Sequence, residues 1–266
     1  GAVAGIVTST IGSTVLISGT ISATNGSTTI TGTSTTFTNL NPVGTNTYIM
    51  IGNTSYLVAS VTNNTTLILT NAYRGVNLSG IACKAHKMNS GFHVENLTII
   101  GSNNGILAQS ARQAIVSNIT IKDLLASVSV LNCDNSSFRD IIVENSPAGF
   151  VLDGNISCDF YGCQSINSTG IGISIIGTSI NIVIDGCNSS NNGGVGLNVS
   201  APATNCIIAN SIFNNNNDKG INTDPGSITC TIINCVVRNN ASWGIDYDGV
   251  NNIIDTCVVD SNGNSG

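Results

Sequence analysis

Eight times between Asn96 and Val259 the chain returns to the same four-residue phrase. The copies are Asn96-Leu-Thr-Ile99, Asn118-Ile-Thr-Ile121, Asp140-Ile-Ile-Val143, Gly162-Cys-Gln-Ser165, Gly186-Cys-Asn-Ser189, Asn210-Ser-Ile-Phe213, Asn234-Cys-Val-Val237 and Thr256-Cys-Val-Val259. By subtraction their starts lie 22, 22, 22, 24, 24, 24 and 22 residues apart. A second phrase, a bend followed by Gly and an apolar residue, recurs inside the units at Gly105, Gly149, Gly170, Gly194, Gly220 and Gly244. A repeat this short cannot bury an apolar face alone, so its neighbours must stack on it.

Runs such as Ile171-Gly-Ile173-Ser-Ile175 and Val195-Gly-Leu197-Asn-Val199 alternate apolar with small or polar residues, which is the period of a strand. Asn, Gly and Ser between them supply bends, because Gly accepts positive φ and Asn tolerates it. Three short strands and three bends per unit predict a parallel β-helix. The second position of the phrase becomes an inward column, Leu97, Ile119, Ile141, Cys163, Cys187, Ser211, Cys235 and Cys257. The fourth becomes another, Ile99, Ile121, Val143, Ser165, Ser189, Phe213, Val237 and Val259. At about 4.8 Å per strand, eight turns make a rod roughly 35–40 Å long, and each buried Ile, Val or Leu contributes about 1.5–3 kcal/mol before chain entropy.

These units resemble the right-handed parallel β-helix repeats of the pectate-lyase-like superfamily. The resemblance implies handedness and fold, and leaves function open, since that scaffold carries lyases, hydrolases, adhesins and viral spikes. Neither the six-residue pattern of left-handed helices nor the Gly-Gly-x-Gly-x-Asp calcium repeat is present.

Composition narrows the partners. Only 8% of the 266 residues are charged and the net charge is -6, so the basic patches needed for nucleic acid or an anionic membrane are missing. No run approaches the ~20 apolar residues of a membrane span. The first residues, Gly1-Ala-Val-Ala-Gly-Ile-Val, carry no basic segment of an export signal. The last unit stops partway through a turn, and a bare helix end exposes a pairing edge, so further chain or a partner subunit is expected after Gly266. Nine cysteines are present. Cys163/Cys187, Cys235/Cys257 and Cys206/Cys230 fall in vertical register, where Cβ atoms sit farther apart than a disulfide wants. The reading is a reduced thiol ladder, with strained cross-rung disulfides or zinc as the alternatives.

Residues 1 to 73 contain no charged side chain. Strands are expected at Val15–Ile21, Thr28–Thr31, Tyr48–Ile51, Tyr56–Val61 and Thr66–Thr70, with turns at Asn25-Gly26, Asn41-Pro42, Gly52-Asn53 and Asn63-Asn64. Such spacing predicts a small antiparallel barrel or sandwich. Ile30-Thr-Gly-Thr-Ser-Thr-Thr-Phe37, Val43-Gly44, Tyr48-Ile-Met-Ile-Gly52 and the hairpin Val58 to Leu69 are similar to a β module of bacteriophage tail fibres and tailspikes, over residues 28 to 80. Thr45 stands where that pattern usually has Asp. The resemblance implies an extracellular or virion location, a trimer, other virion subunits as partners and a surface polysaccharide or host receptor as target. The expected division is an N-terminal module over 1–88 and the β-helix over 89–266. Cys83, His86 and His93 near the boundary can be drawn as a metal site, but a solvated linker is the simpler reading.

One constellation on the rod carries chemistry. With Ile221 and Ile245 inward, Asn222, Asp224, Asp246 and Asp248 point outward, Asp224 beside Asp248 and Asn222 beside Asp246, with Asp153, Ser174 and Asn198 continuing the column. Carboxylates one strand spacing apart suit a retaining glycosidase, one as acid and one as nucleophile, which makes Asp224, Asp246 and Asp248 the catalytic candidates. Asn222-Thr223-Asp224 resembles the Asn-Thr-Asp element of polygalacturonases, whose other motifs are missing here. Trp243 offers a stacking platform, and with Asn222, Asp153 and Asn198 forms the candidate glycan-binding set. An acidic solvated face is the bland alternative, and weak calcium binding is the only cofactor the patch suggests. The expectation is therefore an all-β chain, a right-handed parallel β-helix after a small antiparallel module, serving as a structural or receptor-binding part of a viral tail spike or fibre. A secreted polysaccharide hydrolase or lyase and a cell-surface adhesin or filament subunit are the alternatives.

Overall fold

The computed structural model describes residues 6–8, 15–44, 46–52, 54–102 and 105–264. Thr45 of the module motif, and Asn53 and Asn104 in expected bends, lie outside these residues. The chain divides into two compact units, Thr10–Ser90, and Gly1–Ser9 together with Gly91–Gly266.

The larger unit is a parallel β-helix. One face is an eight-stranded sheet built from Ile6–Thr8, Ile106–Gln109, Val128–Leu131, Phe150–Asp153, Ile173–Ile176, Leu197–Val199, Ile221–Thr223 and Ile245–Tyr247 in that spatial order. The second face begins with His93–Ile100, Ile115–Lys122 and Ser137–Glu144 and continues as short strands to Ile253–Asp255. Ile6–Thr8 pairs in parallel with Ile106 to Ala108, so these residues add a strand to the rod, whereas the sequence assigns them to the N-terminal module. The glycine phrase also needs a correction. Phe150 pairs with Ile173 and Ile173 with Leu197, so the glycines equivalent to Gly149 are Gly172 and Gly196, two residues after the Gly170 and Gly194 of the sequence alignment.

The corners explain the repeat. All eight phrase-opening residues have positive φ, from 49° at Asn210 and Thr256 to 62° at Gly162. They are flanked by two further left-handed corners, five residues before and five after: Asn135, Asp140, Asn145; Asn181, Gly186, Asn191; Asn205, Asn210, Asn215; Thr229, Asn234, Asn239. Asn, Asp and Gly recur there because short polar or absent side chains adopt this region at least cost. Corner side chains add bonds between turns, Asn118 Nδ2 donating to Asn96 Oδ1 (2.5 Å) and Asn234 Nδ2 to Asn210 Oδ1 (2.7 Å).

The core is a set of like-on-like columns. Ile119, Ile141, Cys163, Cys187, Ser211 and Cys235 are buried as expected, while Leu97 and Val259 of the two inward columns are partly exposed in the outermost turns. Phe138 stacks on Phe160 with centroids 4.8 Å apart and rings within 7° of parallel. All nine cysteines are free thiols; burial pushes Cys133 up to about 12 and Cys235 to about 11. An asparagine ladder runs through buried Asn192, Asn216 and Asn240 to half-buried Asn262. Asn216 Oδ1 accepts from the Asn192 backbone N–H (3.0 Å) and Nδ2 (3.1 Å), while Asn216 Nδ2 donates to Ser189 O (3.1 Å) and Asn240 Oδ1 (2.9 Å). The ladder lies against the bend glycines: a Cβ on Gly196 would come within 2.7 Å of Asn216 Nδ2.

In the smaller unit eight antiparallel strands form one sheet, ordered Val15–Leu16, Lys84–Lys87, Thr47–Ile51, Thr54–Asn63, Thr66–Leu69, Thr29–Thr33, Thr20–Ala23 and Leu78–Ile81. The single strand expected from Val15 to Ile21 is broken at Gly19, whose φ is 79° and whose Cβ would meet Thr33 O at 2.2 Å. Tyr48, Tyr56, Phe37 and Ile30 fill its core.

Candidate glycan-binding face

The candidate residues lie on the outward side of the eight-stranded sheet, in its last turns. Ser174 pairs with Asn198, Asn198 with Asn222, and Asn222 with Asp246. From Asn198 onward the side chains form a polar ladder: Asn222 Nδ2 donates to Asn198 Oδ1 and to Asp224 Oδ1, both at 2.7 Å. Lys219, which precedes the strand in the bend, closes the ladder. Its Nζ donates to Asn222 Oδ1 at 2.8 Å and makes an ion pair with Asp246 Oδ2 at 2.5 Å. The backbone N–H of Gly220 bonds Trp243 O, which sets Trp243 one turn from Lys219 along the same bend, with 41% of its surface exposed.

The sequence correctly brings Asn198, Asn222 and Asp246 together, but it names the acids as a pair and gives Lys219 only a neighbouring place. Asp246 is neutralised by Lys219, and Asp224 is held by the Asn222 amide. Asp248 is exposed, its N–H bonded to Thr223 O at 3.1 Å. Asp153 falls outside the ladder. It pairs with Ile176, and Val151, two residues earlier, is the residue opposite Ser174, so Asp153 stands two positions off the column expected from the sequence. One Asp153 oxygen, Oδ1, is buried without a partner, a Cβ on Gly177 would reach it at 2.1 Å, and burial raises the carboxyl above its ordinary value. Among the described residues no three His, Cys, Asp or Glu side chains converge as metal ligands. The triad drawn from Cys83, His86 and His93 is divided: Cys83 and His86 are buried in the smaller unit, where His86 Nε2 lies 3.1 Å from Ser55 Oγ, while His93 belongs to the rod and pairs with Glu95 at 3.2 Å.

The arrangement offers a flat polar strip, with alternating amide donors and acceptors, one ammonium, two carboxylates and an exposed indole. Hydroxyl-rich ligands are recognised by such mixed donors and acceptors, and the indole adds an apolar face.

Comparison with solved structures gives fold relatives of low identity. The A-module of mannuronan C-5 epimerase AlgE6 from Azotobacter vinelandii superposes with a TM-score of 0.60 at 20% identity, over 65% of this chain and 52% of that one. Tailspike protein gp49 of Pseudomonas phage LKA1 superposes with a TM-score of 0.55 at 13% identity, over 96% of this chain and 64% of that one. The chain thus spans less than two thirds of either relative. No curated protein matches by sequence. The family described as "Right handed beta helix region" matches residues 79–229, and the chain belongs to that family.

Proposed function

We propose that this chain is a structural, receptor-binding rod of an extracellular appendage of the phage tail-spike or tail-fibre kind, several identical chains to an assembly, three in the expected form. It contacts surface polysaccharide through the Asn198–Asn222–Asp246 strip and Trp243. The observation that carries this reading is the engagement of the acids. With Asp246 on Lys219 and Asp224 on Asn222, the strip has the properties of a binding surface more than of an acid and nucleophile facing a scissile bond. A tailspike among the fold relatives, and the small antiparallel unit carried by the same chain, support the same role.

A second reading is a polysaccharide hydrolase or lyase using Asp224, Asp246 and Asp248. It is favoured by the exposed Asp248 next to this strip and by a fold relative named for mannuronan epimerisation. The two are separated by offering capsular and envelope polysaccharides to the wild-type chain and following both retention and chain length. Retention without new reducing ends is expected. Cleavage that disappears in Asp224→Asn or Asp248→Asn replaces the binding reading with the enzymatic one, and no retention of any glycan removes both.

A further inference from the structure

The two units differ in charge as much as in fold. Residues 10–90 contain Arg74, Lys84 and Lys87 and not one Asp or Glu, while all 14 acidic residues lie from Glu95 onward. One of these cations stands at a cavity of about 230 Å³, between the sheet of the smaller unit and the short 3-10 helix Phe37–Leu40. Thr47 and Lys87 are cross-strand partners, as are Ile49 and Ala85, so Thr47, Ala85 and Lys87 set their side chains on one face of the sheet. Tyr48 and His86 point to the other face, where their rings stack at 6.0 Å, and the cavity meets only the main chain of His86. Thr47 and Ala85 are its buried floor, Leu40 and Pro42 its apolar wall, and Asn39, Asn41 and Lys87 its exposed rim. The wall is fixed from behind, because Phe37 is fully buried and its N–H bonds Asn64 O at 3.3 Å.

We infer that this cavity is a binding site for a single ring-sized hydroxylated carboxylate, a uronic acid being the model ligand. Its volume equals that of about eight waters at about 30 Å³ each, which holds one pyranose ring and not a longer saccharide. The sign of the ligand follows from charge. Lys87 has no ion-pair partner among the described residues, and its own unit contains no carboxylate to compete for it. A cleft whose charges share one sign concentrates counter-ions, and an ammonium donates charge-assisted hydrogen bonds to a carboxylate. The preference for hydroxyls follows from the rest of the lining. Thr47 Oγ1 accepts from the Gly44 N–H at 3.1 Å, which leaves its O–H to donate, and the amides of Asn39 and Asn41 supply donors and acceptors together. Leu40, Pro42 and Ala85 give the apolar surface on which the C–H face of a ring rests, the mixture usual in small-ligand sites. Inorganic phosphate would use the lysine and leave that wall idle. The site belongs to the smaller unit alone, so it stands whether or not the strip on the rod binds glycan.

Ligand-observed NMR titration of the full chain with D-glucuronate, and with glucose as its neutral counterpart, tests the site. Glucuronate is expected to bind with a Kd of about 1 mM, the range open to so small a ligand, and glucose about tenfold more weakly. Lys87→Gln should weaken glucuronate by about tenfold and leave the melting temperature unchanged. Lys84→Gln removes the same charge from the other face of the same strand, and it should bind as the wild type does, as should Lys219→Ala on the rod. Ala85→Leu fills the floor, keeps every charge and should abolish binding; if it fails to fold, the lysine variants decide alone. No binding at about 20 mM, glucose bound as well as glucuronate, or equal losses in Lys84→Gln and Lys87→Gln overturns the inference. So does a loss confined to Lys219→Ala, which assigns the sugar to the strip instead.

Discussion

Each turn of the rod has two parts that behave differently. From first corner to third the count is constant: ten residues separate Asn135 from Asn145, and ten separate Asn205 from Asn215. The remainder, which carries the eight-stranded sheet, varies. Asn145 to Phe150 is five residues and Phe150 to Ser157 seven, whereas Asn191 to Leu197 is six and Leu197 to Asn205 eight. The extra residues of the 24-residue turns enter on either side of the sheet strand, the places occupied by Lys219 before Ile221 and Asp224 after Thr223. Length is conserved where backbone dihedrals close the coil, and it changes where the polar strip is built. Connections that are free of the packing frame are where function accumulates.

The sharpest way to break this contrast is at the buried ladder. Asn216→Ala orphans the Asn192 N–H together with acceptors and donors above and below, and each unsatisfied buried group costs about 1–3 kcal/mol. A loss of about 3–5 kcal/mol in urea unfolding is expected, against less than about 1 kcal/mol for Asn222→Ala on the exposed strip. A loss of similar size at the two sites would erase the distinction. Next come the corners. Asn205→Val puts a β-branched residue at φ 56° and should cost about 1–2 kcal/mol, with Asn205→Gly closer to wild type. Conversely Thr229, already β-branched at φ 57°, should gain about 0.5–1 kcal/mol as Thr229→Asn, a gain readable in melting temperature.

The smaller unit sharpens the comparison from outside the rod. Burial lowers the His86 pKa below its usual 6.5, so the unfolded chain binds the proton more readily. Stability from the neutral imidazole is therefore fully present above about 6.5 and is lost as pH falls through the window between that value and the lower folded one. His86→Gln, which can keep the bond to Ser55, should flatten the difference in melting between about pH 5 and pH 7.5 for this unit. An unchanged pH dependence in the variant would contradict that assignment.

How much of this was legible in the sequence follows from the same division. The middle corner is readable because it opens a phrase with fixed apolar positions, and from it the coil and the inward columns to Cys235 and Val237 follow. Its companions five residues away are visible only as Asn, Asp, Ser, Thr, Gln or Gly at matching offsets, a signal diluted by so many other asparagines. Where turns lengthen, register along the eight-stranded sheet cannot be carried by spacing alone, which is why Asp153 and the bend glycines lie off the rows that spacing predicts. Lys219 is not legible as part of the strip because its long side chain reaches from a bend onto the next turn's Asp246, a contact with no sequence period. The strand Ile6–Thr8 lies some hundred residues from its partner Ile106 to Ala108, and three apolar-to-polar residues carry no hint of that pairing.

In the proposed function the variable side of each turn, and not the cornered side, meets the glycan. The most direct test is the affinity of the folded chain for a retained surface polysaccharide, measured for Lys219→Ala and Trp243→Ala beside Arg139→Ala on the opposite sheet. Lys219→Ala and Trp243→Ala should each weaken binding by about tenfold or more, the effect of losing about 1.4 kcal/mol, with melting temperatures close to wild type, and Arg139→Ala should bind unchanged. Unaltered affinity in both strip variants, or a loss confined to Arg139→Ala, would contradict it.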